Sequence, residues 1–168
     1  MTSTIDIRKA RVDDSPLIAA MLARHFREIG DAGCYRDDSD AIGRHGFGEH
    51  ALFRTLIAEG PDQALGFVLY FPAFSTIRCE PGVHVQDIWV DGAARGQGLG
   101  RRLLAASAMD AASLWGATYL TLMVYDDNDG ALAFYRRLGF VQDPRDRPLH
   151  IDGGAFRQLF RDGGGRKT

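Results

Sequence analysis

The chain opens on alternation: Ile5 and Ile7 fall on one side, Asp6 and Arg8 on the other, which is the two-residue period of a half-buried strand. Asp13-Asp14-Ser15-Pro16 follows with the chemistry of a helix start, Ser15 as the cap and Pro16 at the first helical position. The period then changes. Ile18, Met21, Leu22, His25 and Ile29 share one helical face, and Gly30 supplies the stop. Across residues 31–50 the periodicity weakens, and a loop with a short helix is predicted. Residues 53–58 and 65–71 are apolar runs separated by Glu59-Gly60-Pro61-Asp62-Gln63, a turn composition that predicts an antiparallel hairpin.

Residues 83–90 predict a further strand, with His84, Gln86, Ile88 and Val90 on one face and Val85, Asp87 and Trp89 on the other. A glycine-rich segment, 91–100, follows at once. Leu104, Ala108, Ala111 and Trp115 then mark one face of a helix. Residues 119–125 are almost continuously apolar, as in a strand covered on both sides. Ala131, Phe134, Tyr135 and Leu138 mark a short helix closed by Gly139. Segments 140–142 and 149–151 are expected to complete a mixed sheet, giving an α/β (α+β) domain over residues 1–160. The Gly-rich, charged segment 161–168 is expected to be a flexible tail.

Composition narrows the function classes. At 168 residues, 45% hydrophobic and 25% charged, the chain has the size and make-up of one globular domain. A net charge of −2 and a pI near 6.2 provide no basic footprint for nucleic acid or a membrane surface. The first residues carry no apolar leader and no run reaches bilayer length, so a cytoplasmic location is expected. Cys34 and Cys79 lack metal or redox spacing, which predicts free thiols and no metal.

The strongest chemical pattern is Arg95-Gly96-Gln97-Gly98-Leu99-Gly100, set between a strand and a helix. There, backbone N–H groups and the positive helix end can hold an anion. A dinucleotide fingerprint starting at Gly96 needs glycine where Arg101 stands, and the Gly-Lys-Ser/Thr ending of a nucleotide P-loop is absent. Arg95-x-x-Gly98-x-Gly100, preceded by Asp87-Ile88-Trp89-Val90, resembles the pyrophosphate loop and central strand of the GNAT superfamily of N-acetyltransferases. Asn128 and the run Ala131-x-x-Phe134-Tyr135-Arg136-Arg137-Leu138-Gly139-Phe140 resemble that family's second cofactor motif. Gly46-Phe47-Gly48-Glu49-His50, with Leu56-Ile57-Ala58-Glu59 and Gly66-Phe67-x-Leu69-Tyr70-Phe71, is similar to its diamine (spermidine/spermine) acetyltransferase branch.

The resemblance implies a mostly antiparallel sheet with a splayed central strand flanked by helices, acetyl-CoA as cosubstrate, and a homodimer. It implies direct acetyl transfer to a primary amine, with a small molecule expected as acceptor because the chain carries no further recognition domain. The alternatives are an acyl-CoA-binding module without activity and a protein N-acetyltransferase. The cosubstrate would lie on Ile88, Val90, Arg95, Gly96, Gln97, Gly98, Gly100, Arg101, Asn128 and Tyr135. Tyr135 is either the general acid for the departing thiolate or a core aromatic, and Asn128 can equally cap a helix. Gln86 can orient water, His84 can titrate near neutrality, and Asp87 can bind an ammonium. Glu49 and His50 are further candidates for lining the amine pocket, with a turn or interface role as the alternative. The branch's acidic pair is Gln86-Asp87 here, and Arg78 stands near where another acidic contact would serve a polyamine. A smaller amine, one with its own carboxylate, is the expected substrate.

Overall fold

Two periods, two and 3.6, sort this chain into one sheet with helices on both faces. The structure is a computed structural model describing residues 5–144, 149 and 151–164. It divides into two units, Met1–Leu132 and Ala133–Thr168.

In the first unit the strands β1 (Asp6–Lys9), β2 (Arg54–Glu59), β3 (Ala64–Ser75), β4 (Glu80–Val90) and β5 (Leu120–Leu122) lie in chain order. The first four pair antiparallel and β5 joins β4 in parallel. The mostly antiparallel mixed sheet is therefore as the sequence implied. The expected hairpin forms as β2 and β3. β3 runs beyond the predicted end and β4 starts earlier, because Pro72 and Pro81 disguise the strand ends in the sequence.

Helices α1 (Ser15–Glu28) and α2 (Ser39–Gly46) cover one face of the sheet. Ile18, Met21 and Leu22 of α1 pack on Ile57, Phe67, Leu69 and Trp89. Helix α3 (Leu99–Trp115) covers the other face, burying Leu99, Leu103, Leu104, Ser107 and Ala111. Each large apolar side chain buried in this way contributes about 1.5–3 kcal/mol. Two features differ from expectation at α1 and β5. Asp14, not Ser15, precedes α1, and its carboxylate accepts from the Arg11 N–H and the Arg8 guanidinium. Ser15 is buried and donates back to the Val12 carbonyl at 2.6 Å, closing a 3₁₀ turn. The run 119–125 yields only three strand residues, with Met123 and Tyr125 exposed; an apolar run cannot by itself distinguish a long covered strand from a short one that leaves the sheet.

Helix α4 (Asp129–Arg137) starts in the first unit and ends in the second. Gly139, at φ 93°, closes it: its N–H reaches the Arg136 carbonyl and the Phe140 N–H reaches that of Tyr135. Segment 140–142 is not a strand, nor are Leu149 and Ile151, while His150 lies outside the described residues. These two short apolar runs flank Pro144 and Pro148, which work against a ladder. The first residues of the segment expected as a tail, 161–164, fall in α5 (Gly153–Gly164), whose Phe156 and Leu159 have helical spacing; residues 165–168 lie outside the described set. No helix among the described residues is long and apolar enough to cross a membrane.

Candidate active site

The parity of hydrogen bonding along β4 decides what its far edge offers. The Asp91 N–H bonds the Leu65 carbonyl at 2.9 Å, so Trp89 and Asp87, in the same phase, bond to β3. Ile88 and Val90 therefore turn their backbone groups to the β5 side. β5 pairs only with Val83, His84 and Val85, and from Gln86 to Val90 no strand among the described residues occupies that edge. The Val90 carbonyl accepts from Arg95 Nε at 2.9 Å, which leaves the N–H groups of Ile88 and Val90 facing the gap.

Beyond this edge, Gly96 and Gly98 adopt φ 74° and 77°, a conformation that side chains rarely tolerate. Gly98 is the N-cap of α3, and no atom stands within 4 Å of where a Cβ would sit at either glycine. An open cradle of amides thus leads onto a helix N-terminus. Gly100 falls in the first turn of α3. Arg95 is clamped between the Val90 carbonyl and the Glu28 carboxylate, and Gln97 Nε2 donates to the Ala93 carbonyl. Arg101 is exposed beside the cradle, whereas Arg102 reaches the Ile5 carbonyl at 2.6 Å and serves the β1 side.

A pocket of about 440 Å³ opens on the α2 side of the sheet, lined by Ile42, Leu52, Phe53, Leu69, Phe71, Gln86 and Asp87. A β-bulge accounts for the two polar residues in it. Leu69 faces Asp87 but Tyr70 faces Val85, so Gln86 is an extra residue in the strand. Strict alternation separates His84 from Asp87. The bulge instead puts His84, opposite Phe71, on the same side as Asp87 and Trp89, and it sends Val85 to the side of Ile88 and Val90. His84 shares a hydrogen bond with Thr121 Oγ1 at 2.9 Å, and burial lowers its pKa, so its imidazole is neutral at pH 7. Glu49 and His50 lie on an exposed turn and do not line the pocket; Leu52 and Phe53 do. Arg78 sits at the tip of the β3–β4 hairpin over the Tyr119 ring, some eight residues of chain from Gln86.

Asp87 is the chemically unusual member. Its side chain keeps only 12% of its exposure, accepts no hydrogen bond among the described residues, and is pushed up to about 6 by burial. The nearest cation-forming group is His25 of α1, at 3.8 Å from Nε2 to Oδ1, beyond hydrogen-bond length. Burial lowers the His25 pKa, so a neutral imidazole faces the carboxylate at pH 7. Tyr35 donates to the Ala19 carbonyl at 3.1 Å and Tyr125 to Asp31 at 2.5 Å. The sequence assigned no role to His25, Tyr35 or Tyr125. His25 could have been noticed as a titratable residue on an apolar helix face, whereas Tyr35 lies in a segment without periodicity.

Asn128 is the cap of α4, its Oδ1 accepting from the Ala131 N–H at 3.1 Å. Tyr135 lies on α4 within the second unit, its ring against Phe134 and Phe140, and burial raises its phenol to about 12. No group of His, Cys, Asp or Glu among the described residues is arranged to hold a metal, and both cysteines are free and exposed.

The sequence profile of the Acetyltransferase (GNAT) family matches residues 17–140. The uncharacterized N-acetyltransferase YhfO of Bacillus subtilis (strain 168) is 33% identical over 143 residues, covering 83% of this chain and 91% of that protein. The thialysine N-epsilon-acetyltransferase of Mus musculus is 30% identical over 167 residues, covering 91% and 95%. Among solved structures, an integron cassette protein from the mobile metagenome of V. cholerae superposes with a TM-score of 0.77 at 19% identity, over 94% of this chain and 98% of that one.

Proposed function

This chain belongs to the acetyltransferase (GNAT) family and is an N-acetyltransferase, and from that premise we propose that it acetylates the terminal amine of a small, lysine-like molecule. The family uses acetyl-CoA as cosubstrate, which supplies an activated acetyl thioester when bound. The residues present fit it: the free β4 edge offers the N–H groups of Ile88 and Val90 to the pantetheine amides and the developing oxyanion. Gly96, Gln97, Gly98, Gly100 and Arg101 would present amides, the α3 N-terminus and one cation to the phosphates, with Arg95 holding the loop in place. Asn128 would shape the far wall of the site through its cap.

The observation that carries the acceptor assignment is the Asp87 carboxylate, largely buried, accepting no hydrogen bond among the described residues and opening into an apolar pocket. One carboxylate among apolar pocket walls suits one ammonium on a short methylene chain. A polyamine has further ammonium groups to satisfy, and here the neighbouring position is the amide of Gln86. Gln86 would orient water, and His84 would border the amine from the same side of the strand. Tyr135 is the proposed acid, its phenol kept protonated by burial. Glu49, on its exposed turn, would act at the pocket only if that turn moved inward with substrate. The reading includes a cytoplasmic homodimer, to be tested by light scattering, and one acetyltransferase domain over residues 1–160.

Acetyl-CoA consumption decides the substrate class. The expected result is a higher kcat/KM for thialysine, lysine and ornithine than for spermidine or spermine. A clear preference for spermidine overturns the single-ammonium assignment.

A further inference from the structure

We propose that His25 and Asp87 form one proton-accepting unit, in which Asp87 meets the acceptor's ammonium from the pocket and His25, behind it on α1, is the positioning residue that shares the proton. This rests on the acceptor assignment above.

Three observations converge on the pair. Asp87 lines the pocket and His25 does not, so only the carboxylate can touch an acceptor. The two side chains are both largely buried, at 18% and 12% exposure, and meet across 3.8 Å. Asp87 has no other hydrogen-bonding or ion-pair partner among the described residues. A carboxylate open to the pocket on one side and backed by a single neighbour must keep its proton or pass it backwards, and the imidazole is the group placed to receive it. Contacts of this length in unliganded sites commonly tighten once substrate is bound.

The surroundings bear on the same proton. On α1 itself Glu28 favours the imidazolium, and Arg95, reaching in from the glycine-rich loop, opposes it. Tyr35, with Asp37 and Asp38 near it, approaches Asp87 from the loop after α1. Tyr125, bonded to Asp31, approaches from beyond β5. The phenols are neutral at pH 7, and Glu28 and Arg95 are spent on each other, so the exchange is left to the carboxylate and the imidazole.

The chemistry balances with no further reactant. An ammonium N–H bond breaks and its proton goes to Asp87, then to His25 Nε2. The lone pair left on nitrogen forms the bond to the acetyl carbon as the carbon–sulfur bond breaks. The nitrogen's second proton replaces the one the departing sulfur receives. One proton remains on the pair and returns to solvent.

The test is a double-mutant cycle with a lysine-like amine, read as kcat, KM and pH profile for wild type, H25Q, D87N and H25Q/D87N. H25Q is expected to lower kcat about tenfold with little change in amine KM. It should also move the acidic limb to lower pH, because one of the two proton sites is gone. D87N is expected to cost about 100-fold or more, and the double variant should be no slower than D87N. In parallel, NMR titration of the His25 ring should give a higher pKa in wild type than in D87N, since the carboxylate favours the imidazolium. Additive losses, an unmoved acidic limb or identical His25 titrations each overturn the shared site. The ring titration needs no turnover, so it judges the pair even if every amine fails; inactivity of the wild type itself counts against the acceptor assignment instead.

Discussion

An ionised carboxylate that is largely buried is a cost that the folded protein bears. Asp87 has its pKa raised from 3.8 to about 6, so the native state binds its proton more tightly than the unfolded state does. Stability from this group is greatest below pH 4, falls as the pH rises to about 6, and stays low above it. D87N should therefore be more stable than wild type at pH 7, by at most about 3 kcal/mol, and melt higher, with the difference vanishing toward pH 4. Calorimetry at the two pH values checks this, and equal melting temperatures at pH 7 refute it. Tyr135 poses the opposite kind of question, because its loss removes one proton and little else. Tyr135→Phe is expected to retain cofactor affinity and lose about 100-fold or more in kcat. A wild-type rate would return Tyr135 to the role of a core aromatic beside Phe134 and Phe140. At this scale the sequence was partly legible. Gly96 and Gly98 declare their positive φ by being glycine in a strand-to-helix turn, and Asp87 stands in a recognisable motif. His25 and Tyr35 acquire meaning only through burial and neighbours far apart in sequence.

Elements hold together through contacts that no local pattern records. Asp110 of α3 accepts from Tyr70 of β3 at 2.7 Å and Arg54 of β2 at 2.8 Å, and it pairs with Lys9 of β1 at 2.8 Å. Three strands are thereby tied to one helix through a single carboxylate. Burial works to raise the Asp110 pKa, but the donors Lys9, Tyr70 and Arg54 outweigh it and hold the carboxyl below its usual range. The stability it contributes is present above the unfolded value near 4 and is lost as the pH falls through the lower folded value. Asp110→Asn should cost about 2–3 kcal/mol at pH 7 and progressively less below pH 4, measured by urea unfolding. A pH-independent loss would show that shape rather than charge sets the effect. Helices α1 and α4 were readable because their apolar period and closing glycines agree, and α3 from its apolar period alone. The β4 bulge was not, since one extra residue leaves the composition of a strand unchanged while rotating every side chain beyond it to the other face. The final strands were misread for a related reason: two or three apolar residues carry no usable period.

At the scale of the whole molecule, a mixed sheet in an α/β domain followed from the order of periods along the chain, and its mostly antiparallel, helix-flanked form came with the family from two motifs in the right order. The open stretch of β4 was expected only through the resemblance, as a splayed central strand, because its extent depends on where β5 stops. Acetyl-CoA bound along that stretch should raise the melting temperature in proportion to the logarithm of its concentration. An unchanged melting temperature at saturation would remove the site proposed for it. The same stretch has a consequence for the empty protein. A five-residue stretch of open strand edge, with the Ile88 and Val90 amides facing outward, is a place where any extended chain can add itself, including a neighbouring copy or a partly unfolded one. Without its cosubstrate the enzyme should therefore clump on gentle warming, well before the α3 side of the core gives way. Concentrated stocks should stay clear when acetyl-CoA or plain CoA is present.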